Sequence, residues 1–162
     1  MEKIYLTRET ITGLYKKNLV IVIAENNKQE DNSGHSVLFT GGYRRNILWV
    51  HNEPNHPFLS NEDHEMVTKI LSACALSWQD IALVNTYESA FSLIQIFDQL
   101  KPTHAIVSSQ NHDELMSHNE NLYEVRTYNN MNLVCTDPLG QIRNDKNLKV
   151  QLWQGLKQLF NL

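Results

Sequence analysis

From residue 46 onward the chain alternates short apolar runs with stretches whose apolar residues recur every three or four positions. Ile47-Leu48-Trp49-Val50, Ile81-Ala82-Leu83-Val84 and Ala105-Ile106-Val107 are continuous runs, the pattern of strands buried on both faces of a parallel sheet. Leu133-Val134 predicts another strand, ending at Asp137-Pro138. Helical spacing appears between and after them. Met66, Val67, Ile70, Leu71 and Cys74 follow a cap at Ser60 or Asn61; Phe91, Ile94, Phe97 and Leu100 precede a stop at Pro102. A closing helix carries Leu148, Leu152, Trp153, Leu156 and Phe160. Strand and helix alternating with short connections imply right-handed crossovers, helices on both faces, and a three-layer α/β/α domain with a mainly parallel central sheet.

The first third is less regular. Thr7 to Lys17 predicts a short helix capped by Thr7, with Ile11, Leu14 and Tyr15 on one face, inside an amphipathic N-terminal segment of residues 1–18. Leu19 to Ala24 has strand character, residues 26–35 read as a mobile polar loop, and Ser36 to Phe39 predict a second strand before a Gly41-Gly42 turn. With 162 residues, the whole chain fits one domain able to bury a sizeable core.

Charge narrows the function classes. Fourteen basic and eighteen acidic side chains give a formal charge of −4. Arg44-Arg45 and the Lys146/Lys149 pair are the compact basic features, so direct DNA binding through phosphates is expected to be weak or absent. Cys74 and Cys135 form no Cys-x-x-Cys, the N-terminus lacks a signal-peptide pattern, and no run of about eighteen apolar residues occurs, which together predict a cytoplasmic protein without a membrane span. The seven histidines lack metal-ligand spacing. Neither a phosphate-binding glycine loop nor a Gly-x-Ser-x-Gly elbow is present, so no metal or cofactor is expected.

In parallel sheets ligands sit outside the carboxyl ends of the strands, here residues 51–59, 85–88, 108–112 and 135–143. The first of these, His51-Asn52-Glu53-Pro54-Asn55-His56-Pro57-Phe58, combines polar groups with two prolines and an aromatic ring. Phe58 suits either a ligand-stacking surface or inward packing. Asn85 suits either a ligand contact or the cap of a helix starting near Glu88. Trp153 suits the core.

The order of these segments resembles the uracil-DNA glycosylase superfamily over about Asn46 to Phe160. Pro54 fits its water-activating motif, with Glu53 where some members place the catalytic acid. Phe58 fits the stacking aromatic, Asn85 the base-reading amide, and Asn52 lies beside them as a ligand-binding candidate. Asp137-Pro138 falls at the late His-Pro motif, followed by Ile142-Arg143-Asn144 and Trp153. The motif glycines are replaced by His51 and Asn55, whose side chains crowd the approach of a ligand. An ionised Asp137 accepts hydrogen bonds only, and repels the charge that develops on a departing base. A missing donor of that kind costs about 3–4 kcal/mol of transition-state stabilisation. The resemblance therefore implies a glycosylase-like fold without an efficient glycosylase.

Within that structural group the chain is similar to the family of psi subunits of bacterial DNA polymerase III, through its N-terminal amphipathic segment and the late Asp137-Pro138, Arg143-Asn144 and Leu152-Trp153-Gln154. This resemblance implies a non-catalytic interaction protein of the replication machinery. Its partners would be of the clamp-loader or single-strand-binding type, contacted through Ile4, Ile11, Leu14 and Tyr15. The alternative it leaves is a divergent enzyme acting on nucleobases, with Glu53 positioning water, Phe58 stacking the base and Asn85 reading it.

Overall fold

A computed structural model of the chain describes residues 36–87, 89–110, 112, 115–116 and 121–162. The helix expected over Thr7–Lys17, the strand over Leu19–Ala24, the loop over 26–35 and the candidates Ile4, Ile11, Leu14 and Tyr15 lie outside the described residues.

The protein is an α/β fold. Its described elements are β1 (Ile47–His51), α1 (Asn61–Ala73), β2 (Ile81–Asn85), α2 (Leu93–Leu100), β3 (His104–Ser108), β4 (Val125–Tyr128), β5 (Met131–Thr136), α3 (Leu139–Asn144) and α4 (Lys146–Phe160). The strands form one mixed sheet in the order β2-β1-β3-β5-β4, parallel except for the antiparallel β4 at one edge. The three runs read as doubly buried strands are β1, β2 and β3, and residues 47–50, 81–84 and 105–107 are all buried. Period-two alternation divides their side chains between two cores. Trp49, Leu83, Ile106 and Val134 meet Val67 and Leu71 of α1, Ile142 of α3, and Leu152, Leu156 and Leu159 of α4. Leu48, Val50, Val84, Val107 and Leu133 meet Ile96 and Phe97 of α2.

Several expectations need correction. Ser36 to Phe39 are not a strand. Thr40 makes a single antiparallel bridge to Leu83 along the outer edge of β2, with N–H···O distances of 3.0 and 2.8 Å. Beyond it Gly41, at φ +110°, passes so close to Trp78 and Ile81 that a Cβ would lie 2.2 Å from the Ile81 carbonyl oxygen, and Gly42 and Tyr43 donate to the Trp78 and Ile81 carbonyls at 2.9 and 3.0 Å. The helix after β2 starts at Leu93, capped by a reciprocal Ser92–Gln95 box, so Phe91 precedes it. Ile94 points outward and is 41% exposed, while Ile96 takes the core position. Residues 139–144, for which the pattern predicted no element, form the short helix α3.

Leu133-Val134 announced β5, but its hairpin partner β4 had no apolar run to announce it. Val125-Arg126-Thr127-Tyr128 is an edge strand of mixed polarity, and its turn residues Asn129 and Asn130 both take positive φ, 44° and 65°. Asparagine tolerates that conformation better than most residues, so Asn-Asn between two strands was the available signal.

Gly155 of α4 shows how tightly the last helix seats. A Cβ there would stand 2.8 Å from the Tyr123 carbonyl oxygen and 3.3 Å from Val134 Cγ2. Gly155→Ala gains about 1 kcal/mol of helix propensity but overpacks a site bounded by backbone, at a cost of about 1–3 kcal/mol. The clash is expected to win. Urea denaturation should show a net loss of stability for the variant.

Candidate functional site

The register sets the last residues of the four parallel strands side by side. Asn85 pairs with His51, His51 with Ser108, and Ser108 with Thr136. Each stands two positions after Leu83, Trp49, Ile106 or Val134, so all four point to the face covered by α1, α3 and α4. A polar row thus closes an apolar face at the carboxyl edge of the sheet.

The middle of this row is buried and bonded internally. His51, Ser108 and Thr136 are each at most 3% exposed. The Trp49 indole, which only donates, gives its Nε1–H to Ser108 Oγ at 3.0 Å. Thr136 donates to the Asp137 carbonyl at 3.0 Å. Because that carbonyl only accepts, Ser108 supplies the hydrogen in the 2.9 Å bond between the two hydroxyls. His51 buries its Nε2 with no hydrogen-bond partner. Burial pushes its pKa down to about 4, against the upward pull of the Glu53 carboxylate and the Phe58 backbone.

At one end of the row Asn85 holds the β1–α1 loop. Its Oδ1 accepts from the backbone N–H of Glu53 at 2.9 Å and of Tyr87 at 3.1 Å. Its Nδ2 donates to the carbonyls of Glu53, His56 and Pro57 at 2.8, 3.0 and 3.2 Å. Both ends of the carboxamide are therefore engaged with backbone. Asn52 Nδ2 is 3.5 Å from Thr86 Oγ1, which itself donates to the His51 carbonyl. Partial burial pushes the Glu53 carboxyl upward, but the Asn55 N–H at 2.8 Å and the His56 ring at 3.4 Å outweigh it and hold it below its ordinary value. Phe58 is half-buried against the apolar cluster.

At the other end Asp137 holds Tyr123. The phenol donates to its carboxylate at 2.6 Å, and the Asp137 N–H donates back to the phenol oxygen at 3.3 Å. Tyr123 sits at φ +66°, uncommon for an aromatic residue, and its N–H is tied to the Cys135 carbonyl at 2.8 Å. Burial first, then the neighbouring carboxylate, raise its pKa. No protein-family model matches the chain, and a search of curated proteins finds no relative. What this edge can do is therefore set by its own bonds.

Those bonds bring Glu53 and Asn85 together beside Asn52, leave Phe58 packed on the apolar cluster, and leave Asp137 apart. Asn85 and Thr136 are three strand spacings apart, about 14–15 Å. Asn85 does not cap the next helix; Ser92 does. Arg143 links two elements, with Nη1 donating to the buried Asp63 at 3.0 Å and standing 3.4 Å from Glu62. Among the described residues no three acidic, histidine or cysteine side chains are grouped to hold a metal. His51, Ser108, Thr136 and Tyr123 were missed as site residues. The available signal for the first three was a polar residue in the same register place at the end of successive apolar runs.

Two consequences are measurable. An unfolded histidine titrates near 6.5 and folded His51 near 4, so between those values the unfolded chain binds the extra proton. Stability is then full above about pH 6.5 and falls with pH toward about 4. At pH 5 the loss from His51 alone is about 2 kcal/mol. His51→Phe should lose about that much less than wild type between pH 7.5 and pH 5 in urea titrations. Asn85→Asp keeps the shape but sets a carboxylate oxygen against three carbonyls; a loss of about 3 kcal/mol at pH 7 is expected by the same method.

Proposed function

We propose that this chain is a non-catalytic interaction protein of the DNA replication machinery, resembling the psi subunits of bacterial DNA polymerase III on a three-layer glycosylase-like fold. One observation carries the non-catalytic half of this reading. Asn85, at the base-reading position of the resemblance, spends both ends of its amide on loop backbone. The other positions are engaged in the same way: Glu53 by Asn55 and His56, Phe58 by the core, Asp137 by Tyr123. A catalytic donor must be pre-aimed at developing charge, and the Asp137 carboxylate has no hydrogen to donate and already receives the Tyr123 phenol on Oδ2.

The replication half is supported by the order of the late features. Asp137-Pro138, Arg143-Asn144 and Leu152-Trp153-Gln154 form a strand exit, a short helix and a long helix in succession. A formal charge of −4 agrees with protein partners more than with a phosphate backbone. No helix among the described residues is long and apolar enough to cross a membrane. Pull-down from its native cell extract with the full chain should recover proteins of the clamp-loader or single-strand-binding type. Recovery of neither, with clean controls, would refute the proposal.

The second reading, a divergent nucleobase-processing enzyme, is favoured by one observation: the lowered Glu53 carboxyl stays ionised at neutral pH, on a residue whose backbone is bonded to Asn85. Uracil-containing single-stranded DNA separates the two. No base release is expected; turnover that disappears in Glu53→Gln would establish the enzyme instead.

A further inference from the structure

Away from the strand ends, α1 and α4 leave an open groove of about 470 Å³ between them. Its floor is apolar: Met66 and Ile70 from α1, Leu152, Trp153 and Leu156 from α4. Leu152 and Leu156 belong to the core below, while Met66, Ile70 and Trp153 are half-buried and keep an edge in solvent. Five charged residues complete the lining: Glu62, Glu65 and Lys69 on α1, Arg143 on α3 and Lys149 on α4. Arg143 is already engaged, with Nη1 3.0 Å from Asp63 and 3.4 Å from Glu62. Glu65 and Lys69 stand one helical turn apart and balance each other along the α1 wall.

The α4 wall has no such balance. Its fifteen residues carry three lysines and no acidic side chain. Lys146, Lys149, Trp153 and Lys157 follow one another at spacings of three or four, so the lysines share the indole's face of the helix. Lys157 places its ammonium 5.9 Å from the indole ring centroid. All three lysines are exposed, and none is ion-paired among the described residues. From Leu139 to Leu162 four basic side chains face the single Asp145, in a chain whose formal charge is −4. The protein thus concentrates positive charge beside its half-buried tryptophan.

We infer that this groove is the docking site for an amphipathic helix of a partner protein, apolar where it enters the groove and acidic along the flank over α4. An apolar trough between two helices takes side chains at i, i+3 and i+4 of a third. The lysine row runs about 16 Å along α4, three helical turns, and so matches carboxylates that recur once per turn on a helical flank. A small carboxylate meets only part of a row that long. A nucleic-acid strand fits less well, because the floor offers one aromatic ring for stacking and Glu62 and Glu65 stand across the groove from the lysines. This inference deepens the function proposed above and rests on its partner-binding half.

The test uses the full chain and two synthetic helices of about fifteen residues, long enough to hold helical structure. Both carry leucine at i, i+3, i+4 and i+7; one has glutamate along a flank and the other lysine. The Trp153 indole signal, assigned by its loss in Trp153→Phe, should shift saturably with the glutamate helix and not with the lysine helix. Lys149→Glu/Lys157→Glu changes two exposed side chains outside both cores, so the fold is kept. It should weaken the glutamate helix by about tenfold, the sum of two exposed charge pairs, and admit the lysine helix instead. An indole that neither helix moves, or that both move alike in wild type, would overturn the proposal. So would a larger response to oligothymidylate, which assigns the groove to nucleic acid, or a shift with protein concentration alone, which assigns it to a second copy. Neither helix contains a replication sequence, so the outcome is independent of the pull-down.

Discussion

The carboxyl edge of the sheet depends on one carboxamide. The β1–α1 loop leaves a fully buried strand and must turn over the end of β2 with two prolines in its path. Prolines donate nothing, and the carbonyls of Glu53, His56 and Pro57 face inward with no strand to pair with. Asn85 answers all three and returns an acceptor to the Glu53 N–H. Few other side chains can do this, because the task needs two donors and an acceptor in one short planar group. The position of the loop follows from that anchor, and Ser60, accepting from the Asp63 N–H, caps α1 just beyond it.

The same logic runs along the row. Trp49, Ser108 and Thr136 pass hydrogen bonds from a group that only donates to a carbonyl that only accepts, and Asp137 ends the row by fixing Tyr123 in a strained conformation. Polar groups at a strand edge have two uses: bonding to their own loops, or waiting for a ligand. Here the first dominates, and His51 is kept neutral by burial at neutral pH. A sheet edge so occupied makes a firm scaffold, and leaves the helix surfaces as the faces on which other molecules can act.

Much of this fold could be read from hydrophobic pattern alone. The three runs from Ile47, Ile81 and Ala105 became β1, β2 and β3 because buried parallel strands need apolar side chains on both faces. The Met66–Cys74 stripe became α1, and the Leu148–Phe160 stripe α4. What stayed hidden lacked such a pattern. An edge strand such as Val125–Tyr128 need bury little, a six-residue helix such as α3 has too few turns to show a period, and Ser36–Phe39 is apolar without a partner strand. The site was half legible. Residue types flagged Glu53, Phe58, Asn85 and Asp137, but only the register shows that His51, Ser108 and Thr136 complete the row and that Asp137 stands far from Asn85.

The decisive question is whether the Asn85 amide is committed to the loop or free to meet a base. Nitrogen-15 NMR of its side-chain NH₂ pair answers it directly, by hydrogen exchange and by titration with uracil and with uracil-containing single-stranded DNA. A slowly exchanging pair that neither ligand moves is expected. Rapid exchange together with a saturable shift on adding either ligand would contradict the structural role assigned to it.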